Sequence, residues 1–114
     1  MNNMNEKKDL KIKEVFALAL EKHKKNNFHV AIDLYKKVLL MEPFFKDGHN
    51  NLGLAFKALG ELKKAKTCYE KAIEIDPNYA NAHNNLGVTL KTLGELQKAK
   101  TCYEKAIEID PNYA

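Results

Sequence analysis

A period of 34 residues governs this chain. Residues 46–79 and 80–113 align without a gap and differ at eight positions, and Lys98–Tyr113 repeats Lys64–Tyr79 at every position. A more diverged copy occupies 12–45 in the same phase, with Ala31, Tyr35 and Pro43 matching Ala65, Tyr69 and Pro77, then Ala99, Tyr103 and Pro111. A period of about 20–50 residues marks supersecondary units that cannot bury their apolar faces alone and must stack on like neighbours. The expected organisation is therefore three units, 12–45, 46–79 and 80–113, with a leader over 1–11 that merges into the first helix.

Each copy reads as two helices and two turns. In residues 80–113, Ala82, Leu86, Val88, Leu90 and Leu93 form an apolar stripe at helical spacing, and Gly94 stops it. A second stripe runs through Leu96, Ala99, Tyr103, Ala106 and Ile107, with Ile109 beyond it, before Asp110-Pro111. Gly60 and Gly94 stand where a left-handed turn must close the first helix, and Asn26 takes that place in the first copy. Pro43, Pro77 and Pro111 end the second helices, because a ring-locked residue cannot donate the next backbone bond. Small residues, Gly53 or Gly87 on the first helix with Ala65 or Ala99 on the second, permit close antiparallel packing.

These residues resemble the tetratricopeptide repeat (TPR) pattern W-x₂-L-G-x₂-Y…A-x₃-F…P. The third copy carries it as His83, Leu86, Gly87, Leu90, Ala99, Tyr103 and Pro111, and the second as His49, Leu52, Gly53, Phe56, Ala65, Tyr69 and Pro77. The first departs most, with Val15, Leu18, Ala19, Lys22, Ala31, Tyr35 and Pro43. The resemblance implies an all-α fold, a right-handed α-solenoid of three antiparallel helix-turn-helix repeats. The chain stops at Tyr113-Ala114, where a fourth copy would begin, so it is expected to be part of a longer array. The face of the last helix around Leu96, Tyr103, Ile107 and Ile109 is then expected to be partly exposed here, open to homodimer or lattice contacts.

Composition removes several functions. The chain has no Arg, Ser or Trp, so there is no serine nucleophile and no guanidinium fork for phosphate or carboxylate capture. The net charge of +4 comes from 19 lysines set among 15 acids, an interleaving that suits a solvated helical surface better than a nucleic-acid stripe. The longest apolar run, Val15 to Leu20, is too short to span a membrane, and the polar Met1–Lys8 does not read as a secretory signal. Cys68 and Cys102 are expected to be free thiols in a reducing, cytoplasmic setting.

Catalytic and metal chemistry find little support. His49 and His83 fall at equivalent places in stacked copies, where neighbouring helices stand about 10 Å apart, too far to share one zinc ion. They read as half-buried packing residues at the repeat junction, and His23 and His29 as surface residues. Cys68 and Cys102 are related by the same repeat, beyond disulfide reach. The carboxylates Glu61, Glu70, Glu74, Glu95, Glu104 and Glu108 lie beside lysines as a solvated face. No glycine-rich phosphate loop occurs. No enzyme activity, metal or cofactor is expected.

The family resemblance implies instead a concave groove lined by the first helices. Its expected residues are Lys13, Phe16, Ala17, Leu20 and Lys24 from the first copy, and Asp47, Asn50, Asn51, Leu54 and Lys57 from the second. The third supplies Asn81, Asn84, Asn85, Val88 and Lys91. A row of carboxamides can pair with the main chain of an extended peptide, since an amide both donates and accepts. Of the positions that cochaperone members use to hold a C-terminal carboxylate, here Phe16, Leu20, Asn51, Asn81 and Asn85, only Asn51 matches. The ladder through Asn51 and Asn85 is more similar to arrays that precede protein O-linked N-acetylglucosaminyltransferases. A protein-binding adaptor is thus expected, with two alternatives: the recruiting arm of a larger enzyme such as a glycosyltransferase, or a self-assembly module.

Overall fold

Every stretch with helical apolar spacing is a helix in the computed structural model, which describes residues 3–113. Residues 1 and 2 of the leader and Ala114 lie outside the described residues. The helices are α1 (Asn3–Lys24), α2 (Phe28–Met41), α3 (Lys46–Ala58), α4 (Leu62–Ile75), α5 (Ala80–Thr92) and α6 (Leu96–Ile109). No strand is present among the described residues. The leader residues 3–11 form the first turns of α1, which is why that helix is 22 residues long against 13 for α3 and α5.

The turns obey the local chemistry. Asn26, Gly60 and Gly94 all take positive φ, at 61°, 77° and 85°. The residue after each bonds back across the helix end, as Glu61 N–H does to Phe56 O and Glu95 N–H to Leu90 O, both at 2.9 Å. This satisfies carbonyls that the helix itself leaves unpaired. At the other turns the Asp76 and Asp110 side chains accept from the Asn78 and Asn112 amides, at 3.0 and 3.1 Å, beside the prolines.

Packing follows the chain in a zigzag. Each helix lies against the next, and α3 also touches α5, so the first helices of the second and third copies approach one another along one side of the stack. The molecule extends 49 × 30 × 21 Å, the elongated shape of an α-solenoid whose units touch only their neighbours. The core runs through Ala19, Ala31, Tyr35, Leu52, Ala55, Ala65, Tyr69, Leu86, Leu90 and Ala99. Gly53 and Gly87 face tyrosine rings. A Cβ at Gly53 would stand 2.6 Å from Tyr69 Cε1, and one at Gly87 2.8 Å from Tyr103 Cε1. Those contacts explain the glycines, since the tyrosine ring of the second helix stands where a Cβ on the first would go.

One sequence expectation fails here. His23 is not a free surface residue: its Nδ1 lies 2.8 Å from the Tyr35 hydroxyl, and its ring meets those of Phe28 and Tyr35 edge-on at 5.5 and 5.8 Å. Half-burial lowers its pKa. The position holds Lys57 and Lys91 in the other copies, so the periodic pattern gave no sign of an aromatic cluster.

Candidate functional site

The first helices α1, α3 and α5 carry every residue expected in the groove, and packing separates them into two groups. Lys13, Ala17, Leu20 and Lys24 on α1 are exposed, as are Asn81 and Lys91 on α5. Asn51, Leu54 and Lys57 on α3 and Asn84, Asn85 and Val88 on α5 are half-buried. Among the described residues, Lys13, Lys24, Lys57 and Lys91 take part in no ion pair, whereas Lys25, Lys46, Lys64, Lys66, Lys71, Lys98 and Lys105 do.

Four of the expected residues, Phe16, Asp47, Asn50 and Asn85, serve the scaffold. Phe16 is half-buried, its ring edge-on to Phe45 at 4.8 Å and tilted against Tyr35 at 6.0 Å. Asn50 is only 5% exposed, and its Oδ1 accepts from Asn85 Nδ2 at 3.0 Å. The expected row of free carboxamides is corrected at this point, because Asn50 joins α3 to α5 and has no face left for a ligand. Asp47 accepts the Tyr79 hydroxyl at 2.7 Å. Tyr79 was not anticipated as part of this region. Burial, with the Asp47 carboxylate beside it, pushes its pKa well above the usual tyrosine range. Lys46 completes the junction, pairing with Asp76 at 2.6 Å and lying 4.8 Å from the centre of the Tyr79 ring. The recurrence of an aromatic at the last position of each copy (Phe45, Tyr79, Tyr113) was the available signal.

The Asn85 bond makes a prediction. Asn85→Ala strands the buried oxygen of Asn50 and should lower folding stability by about 1–3 kcal/mol, the cost of an unsatisfied buried acceptor. Asn51→Ala should leave stability within about 0.5 kcal/mol, as substitutions away from such features do. Urea denaturation of both variants measures this, and equal stabilities would mean that the α3–α5 bond carries no weight.

The remaining polar groups are structural too. His49 and His83 each donate Nε2–H to the carbonyl of the proline six residues earlier, Pro43 at 2.8 Å and Pro77 at 2.9 Å, which tacks each first helix to the turn before it. Cys68 and Cys102 are free thiols, and burial pushes Cys68 up to about 11, so it is a poor nucleophile. Among the described residues no three His, Cys, Asp or Glu side chains gather as a metal site would require. No helix of the described residues is long and apolar enough to cross a membrane.

Comparison with known proteins places this geometry. A TPR repeat profile matches residues 55–94 and a tetratricopeptide repeat profile matches residues 80–113. Among solved structures, MamA superimposes with a TM-score of 0.84 at 25% identity, over 88% of this chain and 58% of MamA's. The first TPR of Spaghetti (RPAP3), bound to the HSP90 peptide SRMEEVD, gives 0.88 at 24% identity over 91% and 82%. The Sgt2 TPR domain from Aspergillus fumigatus gives 0.86 at 28% over 90% and 68%. The chain thus spans little more than half of MamA's length. No curated protein matches it by sequence.

Proposed function

This chain belongs to the tetratricopeptide repeat family, and from that premise we propose that it is a non-catalytic scaffold binding an extended peptide or protein segment along α3 and α5. One observation carries the proposal. On the side where α3 and α5 touch, Asn51, Leu54, Lys57, Val88 and Lys91 remain accessible and without ion-pair partners, while their neighbours Asp47 and Asn50 are consumed by packing. Leu54 and Val88 offer an apolar strip, Asn51 a donor and an acceptor, and the lysines a positive margin. Such a surface recognises a main chain and a few side chains rather than performing chemistry. The Spaghetti domain bound to an HSP90 peptide supports the general mode. The free thiols and interleaved charges fit a cytoplasmic protein partner rather than nucleic acid.

Selection of a displayed peptide library on the immobilised chain tests this. Selected peptides should lose at least about tenfold in affinity, roughly 1.4 kcal/mol, on the Leu54→Glu/Val88→Glu variant. They should bind the Glu74→Gln variant unchanged. Peptides that ignore the double substitution, or a library that yields no binder, would refute the groove.

A further inference from the structure

A shift by one 34-residue period carries Asn51, Leu54 and Lys57 of α3 onto Asn85, Val88 and Lys91 of α5. Within each helix the three follow one another along one side, carboxamide first, then the apolar group, then the ammonium. The groove along α3 and α5 is thus two like rungs, and the bond from Asn85 Nδ2 to Asn50 Oδ1, at 3.0 Å, holds them in step. A helix stacked beside a rung does not close it. With α5 against α3, Leu54 is still half-buried, and Lys57 has no ion-pair partner among the described residues. Leu20 repeats the apolar place on α1, where it is 41% exposed.

Packed helices stand about 8–10 Å apart, so equivalent groups on α3 and α5 recur at that interval. The interval decides which extended chain can use both rungs. In a β-strand, side chains on one face recur at about 7 Å and then at about 13 Å, and neither step meets the second rung. A polyproline II segment rises about 3.1 Å per residue with three residues per turn, so every third side chain points the same way about 9.3 Å further on. Its main chain makes no internal hydrogen bonds. The Asn51 carboxamide and the Asn85 Oδ1 atom can therefore pair with it once per turn.

We propose, resting on the groove reading above, that α3 and α5 take a peptide in polyproline II conformation, with an apolar residue and a carboxylate in each three-residue turn. The apolar residues meet Leu54 and Val88 and continue towards Leu20, and the carboxylates meet Lys57 and Lys91. A segment already held in this conformation has little freedom left to lose on binding.

Fluorescence anisotropy with two labelled peptides tests this: four Leu-Pro-Glu triplets and, for the opposite chain direction, four Glu-Pro-Leu triplets. One of them should bind at least about tenfold tighter than a peptide of the same composition with leucine at every second position. Lys57→Glu/Lys91→Glu should weaken the better peptide at least about tenfold, and triplets with lysine in place of glutamate should prefer that variant to the unchanged chain. Triplet peptides that bind no better than the alternating one overturn the proposal, and so does indifference to the lysine reversal. The library selection described above separates the two readings. Selected peptides that depend on Leu54 and Val88 but place apolar residues at every second position sink the triplet and leave the groove standing. Peptides indifferent to Leu54→Glu/Val88→Glu sink both.

Discussion

Tyr69→Ala is expected to cost about 3–5 kcal/mol of folding stability, the range for deleting a fully buried aromatic ring. The ring is 0% exposed and lies against Gly53, where no side chain can move in to fill the space it leaves. Tyr103→Ala removes the same ring from the equivalent place in the next copy, over Gly87, but there the ring is half-buried, with no helix stacked above it among the described residues. Its cost should fall to about half, since the transfer energy scales with the area taken from water. Denaturant titration of the two variants provides the comparison. Equal losses would mean that the stacking neighbour contributes nothing at Tyr69, and the account of stability as repeat plus junction would fail.

Alkali is expected to unfold the chain by about pH 11. Burial raises three proton-holding groups in the folded state: Cys68 from an ordinary 9.0 to about 11, Tyr35 from 10.0 to about 12, and Tyr69 further still. Each binds its proton more tightly folded than unfolded. Their contribution is therefore complete below pH 9 and is lost as pH rises, first through Cys68 and then, above pH 10, through the tyrosines. Each group takes away about 1.4 kcal/mol per pH unit between its unfolded and folded values. Together they reach the scale of a small domain's whole stability, about 5–15 kcal/mol. Circular dichroism followed alongside tyrosinate absorbance tests it. Helicity should vanish as the buried tyrosines ionise, and Cys68→Ala should delay the onset of the loss. Tyrosines titrating near pH 10 in a helical chain would contradict the burial of Tyr35 and Tyr69.

What was legible in the sequence was local. Asn26, Gly60 and Gly94 announced left-handed turns because few residues tolerate positive φ, and the prolines announced helix ends because they lack a donor. The site was legible only in part. The first-helix positions were read from the repeat, yet equal positions met unequal neighbours. Asn50 lost its free carboxamide to Asn85, Asp47 went to Tyr79, and His23 joined an aromatic cluster that lysines avoid elsewhere. Side-chain pairs separated by 32 or 35 residues leave no mark in helical spacing.

By itself, the sequence determined the period, the hairpin within each period and the residue types offered to each junction, since backbone preferences and turn chemistry act over a few residues. The period already implied that the last of the two identical stretches would be the more open; only the tertiary structure decided how far, with Tyr69 fully covered and Tyr103 half-buried. Tyr69 and Tyr103 have the same neighbours along the chain and differ in what stacks above them, and burial is set by that stacking.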